Sequence, residues 1–239
     1  FKYDQYDDKQ PESKYLQWSE AWLEEVYRVL HEHGTFWLAI GSKYVSELDI
    51  IAKSLGFQQR SHVIWYYTFG VNCKKKFTPS HTHLLYYTKR KTRFTFNPDD
   101  VRIPSARQTA YNDKRANDDG RLPDDTWILR PQEVPEAFRA EEDTWHIARV
   151  AGTFHQREVD AANQMPEQLL GRVIRACSHE GDVVLDPFSG TATTLAVAKK
   201  LGRHYIGFEI SKDYARKGRD RIKAARKGQP LDGPIPQGG

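Results

Sequence analysis

Apolar positions along the chain alternate between helical spacing and short continuous runs. From residue 15 to about residue 31 they recur every three or four positions, which predicts a helix that ends before Gly34. The run Thr35–Ile40 that follows is continuously apolar and is closed by Gly41, as expected of a strand buried on both faces in a parallel sheet. A helix followed at once by a buried strand favours an α/β arrangement.

The same alternation predicts the remaining elements. The other helices are expected at residues 45–55, after Pro166, at residues 193–201 and after Ser211, and the other strands at residues 62–68, 83–88, 183–186 and 205–208. This order predicts the α/β class with a mostly parallel sheet. Between residues 96 and 149 the pattern gives way to Pro, Asp, Asn and Arg, and a loop of that length is usually functional or disordered.

Composition narrows the class of protein. A chain of 239 residues with 38% hydrophobic content suits one soluble domain with a sizeable core and argues against disorder. No apolar run approaches the roughly 18 residues that a membrane span needs, and the first residues lack the apolar core of a signal peptide, so we expect a cytoplasmic protein. The two cysteines, Cys73 and Cys177, exclude a disulfide framework and a four-cysteine zinc site.

The net charge of +4 is unevenly distributed. Residues 71–121 carry 12 basic and 5 acidic side chains, residues 211–228 carry 8 and 2, and the rest of the chain is therefore strongly acidic. Two localised basic surfaces are what a polyanion would meet. The simpler alternative is a pair of solvated faces, and for the C-terminal run we favour it, because a terminal amphipathic helix often points Lys and Arg outward.

The segment with the most information is DVVLDPFSGTATT, at residues 182–194. Its strand runs into a tight Ser-Gly turn that opens a helix, and such a turn presents backbone N–H groups and hydroxyls to a polar ligand. The next strand ends in Glu209, where a carboxylate is suited to the ribose hydroxyls of a nucleoside cofactor. A Gly turn alone could be ordinary strand-to-helix punctuation, but its spacing to Glu209 favours a cofactor site.

These segments resemble a known family. LDPFSGTATT, YIGFEIS and QMPEQLLGRVIRAC resemble the cofactor-binding segments of the amino-methylating DNA methyltransferases, which make N6-methyladenine or N4-methylcytosine. YLQWSEAWLEEVYRVLHEHGTFWLAIG and HVIWYYTFGVNCKKKF resemble the elements that follow the catalytic loop, so the resemblance covers nearly the whole chain. The resemblance implies a Rossmann-like sheet with helices on both faces and an enzyme that depends on S-adenosylmethionine (SAM). It places the chain in the permuted class, in which the catalytic half precedes the cofactor half.

The resemblance also implies which residues bind SAM. Glu209 would take the ribose, and the segment that begins at Gln164 would shape the methionine end of the pocket. Among the others, Gly190 fits best because close backbone approach to a ligand excludes a Cβ, whereas Ser189 and Thr191 could instead cap the helix. The full set is Gln164, Asp186, Pro187, Phe188, Ser189, Gly190, Thr191, Thr193 and Glu209.

The catalytic tetrapeptide of the family has no counterpart in this chain. That motif is Asp, Asn or Ser, then Pro-Pro, then an aromatic residue, and no Pro-Pro pair occurs in the sequence. In the family a sequence like FKYDQYDD follows it closely, so we expect the motif, with two further strands, before Phe1 and assign no catalytic residue. The chain then is either part of a longer enzyme, which we favour, or a catalytically inactive remnant.

DNA contacts are expected from basic and aromatic side chains, because base flipping needs a channel for the backbone and a stacking surface. Strand alternation sends Tyr66 and Tyr67 to opposite faces, so at most one lines a given pocket, and core packing is the alternative for each. No metal is expected, because His31 and His33 end a helix and His81 and His83 lie two residues apart on a strand without nearby Cys partners. The candidates are Tyr66, Lys74, Lys75, Lys76, Arg102 and Arg107.

The chain is accordingly divided into a catalytic half at 1–95, a target-recognition insertion at 96–150, a cofactor-binding half at 151–228 and a flexible tail at 229–239. The expected function is site-specific methylation of double-stranded DNA on adenine N6, the base being chosen by family likeness. Alternatives are cytosine N4, a non-catalytic DNA-binding module, and methylation of RNA or protein. A second copy of the chain, in a homodimer, and a cognate restriction enzyme are further candidate partners, and no membrane partner is expected. The expected location is the cytoplasm, of bacterial or phage type, in association with the nucleoid.

Overall fold

The computed structural model describes residues 10–67, 73–109, 111–127 and 164–231. These residues belong to two compact units, one within residues 9–148 and the other within residues 149–239. Most of the expected C-terminal tail and the part of the expected target-recognition insertion from residue 128 onward lie outside the described residues.

The first unit is a four-stranded sheet with helices. Its elements are α1 (Glu12–Val29), β1 (Thr35–Ile40), α2 (Val45–Ser54), β2 (Gln58–Tyr66), β3 (His81–Thr88), α3 (Ala106–Thr109) and β4 (Thr126–Trp127). A short 3-10 helix, Asp99–Val101, precedes α3. The strand order in the sheet is β1-β3-β2-β4.

The strand directions correct one expectation. β3 pairs antiparallel with β1, where Phe36 lies opposite Tyr87, and antiparallel with β2, where Val63 lies opposite Leu84. Among the described pairs of this sheet, only the short β2–β4 pair is parallel. The prediction that Thr35–Ile40 belongs to a parallel sheet was therefore wrong for the described pairings, because an apolar run reports burial and not strand direction.

Aromatic and aliphatic side chains pack on both faces of this sheet. On one face α1 and α2 contribute Leu23 and Leu48 to a core with Phe57 and Tyr87, all fully buried. Burial, reinforced by the hydrogen bond that the Tyr87 hydroxyl donates to Asp49, raises the pKa of Tyr87. On the other face Trp37 stacks on Tyr86 and also contacts Trp127, with ring centroids 4.6 and 6.3 Å apart respectively.

The second unit follows the predicted α/β order. It contains α4 (Glu167–Cys177), β5 (Val183–Asp186), α5 (Thr193–Lys200), β6 (His204–Gly207) and α6 (Lys212–Ala224). β5 and β6 pair in parallel from Val183 opposite His204 to Asp186 opposite Gly207. Their inward residues pack on α4 and α5, so the elements predicted here are confirmed to within a residue or two.

No helix among the described residues combines the length and apolar character that crossing a bilayer requires.

Candidate functional site

The carboxyl ends of β5 and β6 bring Gly190 and Glu209 into direct contact. Glu209 Oε2 accepts a hydrogen bond from the Gly190 N–H at 2.8 Å, and Oε1 accepts one from the Ser211 N–H at 2.8 Å. Parallel strands end at the same sheet edge, so two residues far apart in sequence meet there. The carboxylate thereby bridges the β5–α5 turn and the N-terminus of α6.

Gly190 occupies a backbone conformation that favours glycine. Its φ is +52°, in the left-handed region where a Cβ is strained. No atom lies within 4 Å of the position that a Cβ would take. The turn thus favours glycine at this position, and the open space beside it leaves room for a ligand to approach the backbone.

Asp186 and Ser189 hold the shape of the turn. Ser189 donates from both its N–H and its hydroxyl to the Phe208 carbonyl, at 2.9 and 3.0 Å. Asp186 Oδ1 accepts a hydrogen bond from the Phe188 N–H at 3.0 Å, across the intervening Pro187. The side chain of Phe188 is left 52% exposed at the rim of the turn.

The threonines of the motif point into the protein. Thr191 and Thr193 are both buried, and Thr193 Oγ1 accepts a hydrogen bond from the Arg221 guanidinium of α6. The N-cap of α5 is Ala192, in a left-handed conformation, and within the described part of the chain no side chain caps that helix end. The alternative that Ser189 or Thr191 caps α5 was therefore wrong.

Helix α6 supports the turn from behind, which sequence reasoning missed. A Cβ on Gly218 would lie 2.9 Å from the Cβ of Ala192, so α6 approaches the turn as closely as glycine permits. Lys199 in α5 donates to the Ile222 carbonyl at 2.8 Å. The available signal was a lone glycine in a helix of long side chains, together with Arg221, which proves to be buried in this basic helix.

Gln164 lies apart from the turn in sequence, three residues before α4, and is 7% exposed. In the same motif, Glu167 Oε2 accepts a hydrogen bond from Lys200 Nζ at 2.7 Å, and both side chains are almost completely buried. This ion pair ties the start of α4 to the end of α5. Glu167 therefore has a structural role in this unit.

A family model described as DNA methylase, of the N6/N4 type, matches residues 1–220. The chain belongs to this family. It is 35% identical to the type II methyltransferase M.HpaI of Haemophilus parainfluenzae over 93% of this chain and 64% of the relative. It is also 30% identical to the DNA adenine methyltransferase YhdJ of Escherichia coli, over 90% of this chain and 69% of that one. The chain thus spans just under two thirds of the length of M.HpaI.

Solved methyltransferases share the fold of this chain. M1.HpyAVI, solved as a complex with SAM, superposes with a TM-score of 0.60 at 19% identity, covering 89% of this chain and 85% of that one. The cytosine-N4-specific PvuII DNA methyltransferase gives a TM-score of 0.62 at 15% identity, covering 92% and 75%. The predicted Rossmann-like methyltransferase fold is confirmed.

Tyr66, the aromatic candidate for DNA contact, is the last residue of β2. Trp65 and Tyr67 are buried and their rings contact at a centroid distance of 5.2 Å. Tyr66, which points the other way along the strand, is half-buried. Of the three neighbours, Tyr66 is thus the one with partial access to solvent.

The basic DNA candidates differ in how they are held. Lys74, Lys75 and Lys76 are exposed. Arg102 donates to Asp99 at 2.7 Å and to the Gly120 carbonyl at 3.3 Å. Arg107 is exposed and lines a cavity of about 490 Å³ whose other lining residues are Ser105, Ala106, Arg115, Ala116, Asn117, Gly120 and Arg121.

Three histidines form a chain on β2 and β3. His83 Nδ1 lies 2.7 Å from His62 Nε2, and His83 Nε2 lies 3.2 Å from His81 Nε2. Burial lowers the pKa of His83, and its two histidine neighbours lower it further. The contacts fall on opposite edges of the central ring, and the described residues contain no His, Cys, Asp or Glu group arranged to hold a metal ion.

Proposed function

We propose that this protein is a SAM-dependent, site-specific DNA methyltransferase that methylates adenine N6 in double-stranded DNA. The observation that carries the proposal is the contact between Gly190 and Glu209, in which a glycine turn and a carboxylate meet at the ends of two parallel strands. This is the arrangement that nucleoside cofactors use at the edge of a parallel sheet. Family membership supports the same conclusion.

In this proposal Glu209, whose Oε2 accepts the Gly190 N–H in this structure, would accept hydrogen bonds from the ribose hydroxyls of SAM. The Ser211 N–H keeps Oε1 in place, so the carboxylate is oriented before the cofactor arrives. Bound SAM supplies the sulfonium methyl group. The wider proposed site is Gln164, Asp186, Pro187, Phe188, Ser189, Gly190, Thr191, Thr193 and Glu209, in which Ser189 and Thr193 act by holding the turn.

The preference for adenine is supported by the relatives. The chain is 30% identical to the DNA adenine methyltransferase YhdJ over 90% of its length. Cytosine N4 is the alternative, because both reactions place an exocyclic amine in line with the sulfonium methyl of SAM. In either reaction, orientation of the two reacting groups supplies much of the rate enhancement, and the base must leave the stack to reach the site.

Double-stranded DNA is the proposed substrate, held by Tyr66, Lys74, Lys75, Lys76, Arg102 and Arg107, with the insertion at residues 96–150 recognising the target. The type II designation of M.HpaI supports a cognate restriction enzyme as a functional partner. A homodimer and a cytoplasmic, nucleoid-associated location remain predictions.

The test is methyl transfer by the full-length protein. It is incubated with methyl-labelled SAM and unmethylated DNA of varied sequence, and the DNA is digested to nucleosides. We expect labelled N6-methyladenine, and none from the Glu209→Ala protein at a SAM concentration that saturates the wild type. Labelled N4-methylcytosine would establish cytosine as the methylated base. Absence of label from both bases would refute methyltransferase activity and favour a non-catalytic DNA-binding module.

A further inference from the structure

The side chain of Phe77 is 100% exposed, more than any other large apolar side chain among the described residues. It follows Lys74, Lys75 and Lys76, which form a bend and are exposed as well. We call residues 74–77 the Lys-Phe segment. Phenylalanine is normally among the more buried residue types, so complete exposure next to three cations is a feature that the fold does not need.

The charge of the Lys-Phe segment is not neutralised by its surroundings in sequence. Residues 50–98 contain no Asp or Glu at all. Within the described part of the chain, Lys74, Lys75 and Lys76 form no ion pair or side-chain hydrogen bond. Their ammonium groups are therefore available to an external anion.

Other cations of the same stretch are used by the fold. Arg60 donates to the carbonyls of Arg90 and Lys91. Lys89 donates to the Leu30 carbonyl at 2.8 Å, and Arg90 pairs with Glu32. This difference in use separates the three lysines of the segment from the basic run at residues 89–93.

The Lys-Phe segment leaves the sheet from an anchored base. The Tyr67 N–H donates to the Ser80 carbonyl at 2.7 Å, one step beyond the last β2–β3 pair, Tyr66 opposite His81. The Tyr67 hydroxyl donates to the His81 carbonyl at 3.2 Å, and its side chain is buried. A buried tyrosine thus fixes the point from which the exposed segment projects.

We propose that the Lys-Phe segment is a DNA-binding element in which Lys74, Lys75 and Lys76 contact phosphates and Phe77 stacks on or between bases. This inference rests on the proposed function and deepens it by adding Phe77 to the three lysines and giving the two parts of the segment separate roles. DNA matches both parts of the segment. Its phosphates attract the lysines, which release counterions on binding, and its bases are flat rings on which an aromatic side chain can stack. An anionic membrane surface is the competing partner for the same side chains.

The two halves of the segment make different contributions that a salt titration separates. Affinity of the chain for a fluorescent mixed-sequence duplex is measured by anisotropy over a range of salt concentrations. Phe77→Ala is expected to weaken binding about tenfold without changing the salt slope, because stacking is not ionic. The Lys74→Ala/Lys75→Ala/Lys76→Ala variant is expected to reduce the slope of log K against log salt by about 2.7, roughly 0.9 for each phosphate that a lysine no longer neutralises.

Matched variants control for exposure and charge. Ile50→Ala removes another exposed large apolar side chain, 68% exposed and outside the proposed DNA contacts. Lys14→Ala/Lys212→Ala/Lys223→Ala removes three exposed lysines elsewhere and changes the net charge equally. Both control variants are expected to bind DNA like the wild type, and thermal unfolding of all variants is expected to match it, since the altered side chains are exposed.

Several results overturn the inference. These are unchanged DNA binding in the segment variants, equal losses in the matched controls, or tighter binding to phosphatidylglycerol vesicles than to DNA that depends on the same side chains. SAM affinity, measured in parallel, separates this failure from failure of the proposed function. A chain that binds SAM but no duplex overturns the segment as a DNA element and leaves the cofactor site intact, whereas loss of SAM binding in the wild type contradicts the proposed function itself.

Discussion

Glu209 Oε2 accepts the backbone N–H of Gly190 at 2.8 Å, and this contact joins two strand ends that are nineteen residues apart in the chain. The same carboxylate is oriented by the Ser211 N–H. Turn, strand end and the following helix therefore share one hydrogen-bonded unit, and substitutions there should alter ligand binding more than they alter folding.

Glu209→Gln should weaken SAM binding about 10- to 100-fold. A hydrogen bond to a charged group contributes about 1.5–3 kcal/mol, and the amide keeps only one acceptor oxygen. Isothermal titration calorimetry of SAM measures the Kd, with Asp220→Asn as the control, since it removes one exposed charge from α6. An unchanged Kd in Glu209→Gln would refute the ribose role of Glu209.

Gly190→Ala and Gly228→Ala form a matched pair. Both glycines have positive φ, +52° and +82°, and neither has an atom within 4 Å of an added Cβ. Each alanine should lower the free energy of unfolding by about 1 kcal/mol, from backbone strain alone. Only Gly190→Ala should also weaken SAM binding, and similar SAM affinity in the two variants would contradict a ligand beside Gly190.

Gly218→Ala should disturb the turn from behind. Its new Cβ would meet the Cβ of Ala192 at 2.9 Å, and neither atom can rotate away. Gly171→Ala in α4 is the control, because its Cβ meets the far end of the Leu231 side chain, which can move. Calorimetry should show weaker SAM binding for Gly218→Ala alone, despite the helix propensity that both alanines gain. Equal affinities would mean that α6 does not position the turn.

Glu167→Gln should lower the free energy of unfolding by about 3–5 kcal/mol, because it leaves the Lys200 charge buried without its partner carboxylate. Glu167→Gln/Lys200→Met should recover most of that loss, since the uncompensated charge is gone. Urea unfolding of the three proteins measures both effects. A single variant as stable as the wild type would show that the pair does not hold α4 on α5.

Stability should fall as the pH is lowered from about 7 to about 5. The pKa of His83 is depressed below its ordinary value of 6.5, so the unfolded chain binds the proton more tightly, and protonation favours unfolding. The paired carboxylates Glu25 and Asp113, whose pKa values are also lowered, titrate below their ordinary values of 4.5 and 3.8 and lie outside this window.

The corresponding measurement is urea unfolding at several pH values. His83→Gln should show a shallower dependence than the wild type, while the exposed control His179→Gln should keep the wild-type slope. If the free energy of unfolding depends on pH equally in the wild type and in His83→Gln, the histidine chain is not the cause of the pH dependence.

Much of the second unit was predictable from the sequence. The Gly190 turn, the strands on either side and Glu209 followed from apolar runs, one glycine and a spacing, because a parallel pair with a short connection places its strand ends together. Helix α5 was expected to begin at Thr193, and it does. Such features are local, so periodicity and turn chemistry report them directly.

Other features depended on contacts between residues distant in the chain. The antiparallel pairing of β1 with β3 and the burial of Thr193 against Arg221 each involve partners that no local pattern names. The basic stretch at residues 71–121 was expected to meet a polyanion, yet within it Lys89 donates to the Leu30 carbonyl at the end of α1 and Arg90 pairs with Glu32 in the loop that follows.

The sequence by itself determined the longer helices and strands, where the glycine turn falls and which carboxylate follows it. It missed the short elements between residues 99 and 127 and the start of β2. Only the tertiary structure decided which hydroxyls and cations are used by the fold and which, as in the Lys-Phe segment, are left to a partner. The physical reason is that conformation follows from neighbouring residues, whereas a hydrogen-bond partner or a burying surface is supplied by chain that lies far away in sequence.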